Sequence, residues 1–97
     1  MTSSSDNALS YEEALSQYQS NFANLCKAIL TSKEYRARYS FISRGDRTKI
    51  RKNHTEISSY AAKYLINKVG TKLPEDESVL DQRIEESLTA ALIAFNP

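Results

Sequence analysis

Lys33, Arg36, Arg38, Arg44, Arg47, Lys49, Arg51 and Lys52 are eight of the thirteen Lys and Arg residues in this 97-residue chain, gathered between positions 33 and 54. Guanidinium and ammonium groups at this density recognise anions, because each donates charge-assisted hydrogen bonds to phosphate or carboxylate oxygens. Counted by segment, residues 1–32 carry −2 (Lys27 against Asp6, Glu12 and Glu13) and residues 33–54 carry +6 (eight bases against Glu34 and Asp46). Residues 55–74 carry +2 and residues 75–97 carry −5, which sums to the net charge of +1. The near-neutral total therefore conceals a dipolar layout. Tyr35 and Tyr39 interleave with Arg36 and Arg38, an arrangement that suits stacking on unpaired bases beside a neutralised backbone.

Other chemistries lack their residues. A zinc site needs about three or four convergent Cys, His or carboxylate ligands, and the chain has one His and one Cys, so no metal is expected. Phosphate-cradling loops need closely spaced glycines, and only Gly45 and Gly70 are present. His54 has no sequence-evident nucleophile and no orienting carboxylate at i±3 or i±4, and reads as a flanking imidazole. The pairs Glu12/Glu13 and Glu85/Glu86 are adjacent in sequence and so point to different sides of a helix, which reads as solvated surface. Cys26 lies within an apolar stripe and is expected to be a buried thiol. Arg44-Gly45-Asp46 spells an adhesion tripeptide and Asn53-His54-Thr55 a glycosylation sequon, but both matter only in a secreted chain. The expectation is a non-enzymatic protein without a cofactor.

The elements that must position the bases read as helical. Ser10 and Glu13 form an S-x-x-E capping box after a flexible polar tail at 1–9, so a helix should begin near Tyr11. Tyr11, Leu15, Tyr18, Phe22, Leu25 and Ile29 then recur at helical spacing and predict one buried face. Thr31 with Glu34 predicts a second cap and a bend. Tyr35, Ala37, Tyr39 and Phe41 alternate like a strand, yet a lone strand would have no partner, so helix is the better reading. Ser43-Arg44-Gly45-Asp46 predicts a turn with positive φ at Gly45 and Asp46 as cap of a helix from about Arg47 to Val69. Its apolar line is Ile50, Ile57, Ala61, Tyr64 and Leu65. Gly70 fits a C-terminal left-handed residue, and the last helix should start at Pro74 or Ser78 and bury Leu80, Ile84, Leu88, Ala91, Leu92 and Phe95.

The expected fold is all-α, a small antiparallel bundle of three helices, or four if the first is broken near Thr31, formed by residues 10–97. Apolar residues make up 40% and charged residues 26%, as in soluble globular chains. No apolar run approaches the roughly 20 residues that span a bilayer. The N-terminus has neither the basic nor the apolar region of a secretory signal, so no membrane partner is expected and an intracellular location, cytoplasmic or nuclear/nucleoid, is.

In outline, a small basic-patched helical bundle resembles the small helical subunits of ribonucleoprotein machines, including those of CRISPR effector complexes. The likeness is one of fold level and implies no residue roles. Two functional expectations follow from the residues. In the first, the eight bases contact nucleic-acid backbone, RNA or DNA, without reading sequence, while other surfaces bind further protein subunits or a second copy. In the second, a protein-only adaptor or self-assembling module opposes its basic surface to the acidic residues Glu75, Asp76, Glu77, Asp81, Glu85 and Glu86. Pairing of the same bases and acids within one chain would leave only a solvated surface.

Overall fold

Four helices follow one another in the computed structural model, which describes residues 9–95: α1 (Tyr11–Thr31), α2 (Lys33–Arg38), α3 (Arg44–Val69) and α4 (Glu77–Ala94). No strand occurs among the described residues. The tail expected at 1–9 lies outside the described residues except for Leu9, which is exposed. The all-helical bundle is the architecture that the apolar spacing predicts. α3 is its centre, with α1 packed on one flank and α4 on the other, while α2 packs on α1.

Each helix start follows from a small polar side chain. Ser10 Oγ accepts from the Glu13 amide at 3.1 Å and Glu13 Oε1 accepts from the Ser10 amide at 3.0 Å, the reciprocal capping box read from the sequence. These hydrogen bonds to the Ser10 backbone and hydroxyl hold the Glu13 carboxyl below its ordinary value. The other three starts differ from expectation. Ser32, not Thr31, caps α2, because Thr31 remains inside α1 and donates its hydroxyl to the Lys27 carbonyl at 2.8 Å. Ser43, not Asp46, caps α3, accepting from the Asp46 amide at 3.1 Å. α3 therefore begins three residues early, Gly45 lies in its first turn, and the positive φ expected there is absent. At α4 the cap is Asp76, whose carboxylate accepts from the amides of Ser78 and Val79, so the helix begins at Glu77.

Gly70 ends α3 with φ +72° and ψ −152°, positive as expected but in the extended mirror region rather than the left-handed helical one. Its carbonyl accepts from Tyr18 Oη at 2.9 Å, which fixes the end of α3 level with the second turn of α1. Tyr11, two turns before Tyr18, consequently overhangs α3 and is 55% exposed, against the expectation that it joins the core. The buried line of α1 is Ala14, Tyr18, Phe22, Cys26 and Ile29, with Leu15 and Leu25 packed against its edge. α3 contributes Ile50, Ile57, Ala61, Ala62, Leu65 and Ile66, and α4 contributes Leu88, Ala91 and Leu92. Tyr64, Leu80, Ile84 and Phe95 reach only the margin of the core. Cys26 is buried, as its place in the stripe predicts. Burial pushes its thiol pKa up, offset in part by the Ser58 hydroxyl, 3.9 Å from Sγ.

The sequence does not announce the kink in α3. Asn53 has φ −133° and ψ 34°, and its side-chain amide lies 3.5 Å from the Lys49 carbonyl that an unbroken turn would engage. Asn competes for backbone hydrogen bonds in this way, so the basic start of α3 is a straight segment ending at Lys52.

Candidate nucleic-acid interface

α3 and α2 carry all eight clustered bases, but the fold divides them. With Arg44 as origin and about 100° of rotation per residue, Arg51 stands some 20° and Arg47 some 60° to one side. Arg44 and Arg51 are exposed and Arg47 is half-buried. The three form a stripe about 10 Å long on the solvent side of α3. Lys52, also exposed, lies about 80° round the other way, on the adjoining surface.

Lys49 turns towards α4. Its Nζ donates to the Leu92 carbonyl at 3.1 Å and lies 3.7 Å from Asp46, with 21% of its side chain exposed. It thus caps the C-terminal carbonyls of α4 and is withdrawn from the anion surface. Arg38 is engaged but stays 57% exposed. Its guanidinium lies 3.4 Å from Asp81 of α4 and stacks over the Tyr39 ring at 5.8 Å. That pair is exposed on both sides and is worth about 0–1 kcal/mol, so it orients α2 more than it stabilises it. Arg36 donates to the Leu30 carbonyl at 3.4 Å, closing the end of α1. Arg47 donates to the Ile42 carbonyl at 3.3 Å and, with five N–H groups, keeps donors for a ligand. Lys33 is exposed at the start of α2.

Two of the candidate residues need correction. Tyr39 is 5% exposed and belongs to the core, where its ring stacks on Tyr35 at 6.4 Å and meets Phe41 edge-on. Burial, opposed by Arg38, raises its phenol pKa. It has no face for a base, because the turn after α2 needs an apolar anchor and Tyr39 is it. Tyr35 is half-buried in the same stack.

Of the first-turn amides of α3, that of Asp46 is taken by Ser43 Oγ, and those of Arg44 and Gly45 remain as donors at the start of the stripe. Asp46 sits in the same turn, but Lys49 lies against it. No ion pair involves Lys33, Arg44, Arg51 or Lys52 among the described residues. The stripe is therefore a fixed row of cations on a helix held by the core through Ile50 and Ile57.

Elsewhere, an apolar cleft of about 270 Å³ lies between α1 and α4, over Leu65, with Phe22, Leu25, Leu73 and Ile84 among its walls. It holds none of the clustered bases. His54 is exposed, and no group of three or more His, Cys, Asp or Glu side chains that could hold a metal ion occurs among the described residues. No helix is long and apolar enough to cross a membrane in that range. Compared with known proteins, the chain matches no family model, no curated protein and no solved structure. The functional reading consequently stands on the geometry of the bases.

Proposed function

We propose that this chain is a non-enzymatic helical subunit of a nucleoprotein assembly that grips nucleic-acid backbone with Arg44, Arg47, Arg51 and Lys52. The observation that carries the reading is the alignment of three arginines on the solvent side of α3 with no carboxylate of α4 against them. Arginine at a helix surface offers forked donors to phosphate oxygens, and the rigid row fixes orientation without touching a base edge. Binding through phosphates alone is indifferent to sequence and steep in salt.

Fluorescence anisotropy with labelled single- and double-stranded oligonucleotides tests it. Four neutralised phosphates give a slope of log K against log salt of about −3.6 for duplex and −2.8 for single strands. Between 50 and 200 mM salt, affinity should then fall about 150-fold for duplex and about 50-fold for single strands. The double variant Arg44→Ala/Arg51→Ala halves the contacts, and its duplex affinity should fall only about 12-fold over the same range. An unchanged slope in that variant, or no binding at 50 mM, removes the proposal.

The protein-only reading has one observation of its own: Glu77 and Glu85 of α4 are exposed and make no ion pair among the described residues, so acidic groups remain for a basic surface on another chain. A salt-sensitive oligomer seen by light scattering, in a protein without oligonucleotide affinity, would select it.

A further inference from the structure

Leu25, Leu80 and Ile84 occupy core positions of the apolar pattern, yet all three stay half-buried. The flanking helices are the cause: α1 and α4 each pack on α3 but not on each other. Between them remains the apolar cleft of about 270 Å³, with Phe22 and Leu25 on one wall, Leu80 and Ile84 on the other, Leu65 of α3 beneath and Leu73 of the connecting loop completing it. No Lys, Arg, Asp or Glu lines it among the described residues. Of its two polar side chains, Tyr18 donates its hydroxyl to the Gly70 carbonyl, and Asn21 is exposed. Water in such a space finds few hydrogen-bonding partners, so an apolar molecule that displaces it gains free energy.

Size decides the kind of occupant. The lining covers about two turns of α1, from Tyr18 to Leu25, but only about one turn of α4, from Leu80 to Ile84. A docked helix with anchors at i, i+3, i+4 and i+7 needs apolar lining over about two turns on both walls, and a lining without charge gives its polar face nothing to pair with. A cavity of about 150 Å³ takes benzene, so a volume of about 270 Å³ suits about ten to twelve carbon atoms. That is near the lower end of the range for small-molecule sites, which are likewise mostly apolar.

We infer that the cleft between α1 and α4 binds a compact, uncharged apolar molecule of this size. It holds none of the clustered bases, so it stands or falls separately from nucleic-acid binding.

1-Naphthol, a fused two-ring compound of matching size and uncharged at neutral pH, is the probe. Titrated into isotope-labelled protein and followed by NMR, it should saturate one site and shift the methyl signals of Leu25, Leu73, Leu80 and Ile84 more than any others. 1-Naphthoate should bind at least about tenfold more weakly, because its carboxylate would lose water without gaining a partner. Ile84→Phe and Leu80→Phe each place a ring in the cleft and should lower 1-naphthol affinity at least about tenfold. Circular dichroism and melting temperature separate a filled cleft from a lost fold, and the shift map of the unaltered protein decides the assignment if a variant fails to fold. Absence of saturable binding, shifts centred away from the cleft, or affinity unchanged in both folded variants overturns the proposal. A concentration-dependent dimer abolished by Ile84→Phe would overturn it too, by assigning the cleft to a second copy.

Discussion

Gly70→Ala and Gly45→Ala should shift stability in opposite directions, although both place the same methyl group on a helix terminus. At Gly70 the backbone has φ +72° and ψ −152°, and a Cβ would meet nothing within 4 Å. The cost of the substitution is thus conformational and not steric, about 1–3 kcal/mol for a region populated essentially by glycine. At Gly45 φ is not positive, and the nearest atom to a Cβ is Ser43 Oγ at 3.8 Å, an ordinary contact. Alanine there should stabilise by about 0.4–1 kcal/mol, because the unfolded chain has fewer conformations to lose. That unfolded-state gain is common to both variants, so the gap between them isolates the strain at Gly70, about 1–3 kcal/mol. For a chain of this size each kcal/mol shifts Tm by roughly 4–8 °C, which separates the two melting curves by roughly 5–20 °C. Thermal unfolding followed by far-ultraviolet circular dichroism, repeated in urea, measures it. Loss of stability in Gly45→Ala equal to that in Gly70→Ala would refute the reasoning, since it would put Gly45 in the positive-φ turn and start α3 after Asp46. A Gly70→Ala variant as stable as Gly45→Ala would refute it from the other side.

Three further outcomes are expected. Ile57→Ala, at a fully buried position of α3, should destabilise by about 2–5 kcal/mol in urea titrations through lost burial and the cavity left behind. Stability should also decline at acid pH. Ser10 and the Ser78 hydroxyl with the Val79 and Ser78 amides hold the Glu13 and Asp76 carboxyls below their ordinary values of 4.5 and 3.8. A lowered folded pKa contributes stability above the unfolded value and loses it as pH falls through the folded one. Urea midpoints should therefore be flat above about pH 5 and decline below about 4.5, and Glu13→Gln with Asp76→Asn should lessen that decline. Finally, a thiol reagent such as DTNB should label Cys26 at neutral pH only as fast as the protein opens, because the thiol is buried and its pKa raised. Immediate labelling of the native protein would contradict its placement in the core.

Much of the bundle was legible from local pattern. The capping box at Ser10 and Glu13, the buried positions Tyr18, Phe22 and Ile29 of α1 and Leu88, Ala91 and Leu92 of α4, and the stop at Gly70 rest on interactions within one or two helical turns, and these are encoded by spacing alone. Misjudged starts had a shared cause. Thr31 and Ser32, or Ser43 and Asp46, are neighbouring residues of equal capping capacity, and the choice between them depends on where packing lets the chain turn. The place of Tyr39 beside Arg38 suits base stacking, but Ile42 and Tyr39 are both needed to bring the turn after α2 onto the core. The kink at Asn53 follows from a side-chain amide reaching Lys49, a competition that sequence admits at many Asn residues and tertiary packing decides at one.

The candidate surface shows the same division. Sequence determined the count of bases, their concentration between 33 and 54, and the spacing that sets Arg47 and Arg51 one turn apart, because charge and rotation per residue are local properties, whereas Arg44 joins them only because Ser43 and not Asp46 caps α3. Only the tertiary structure decided which bases stay available. Lys49 is spent on the carbonyl of Leu92 and Arg38 faces Asp81, each partner 43 residues away along the chain, and partners at such separation are chosen by how α4 docks on the rest of the bundle, which no periodicity within a helix specifies.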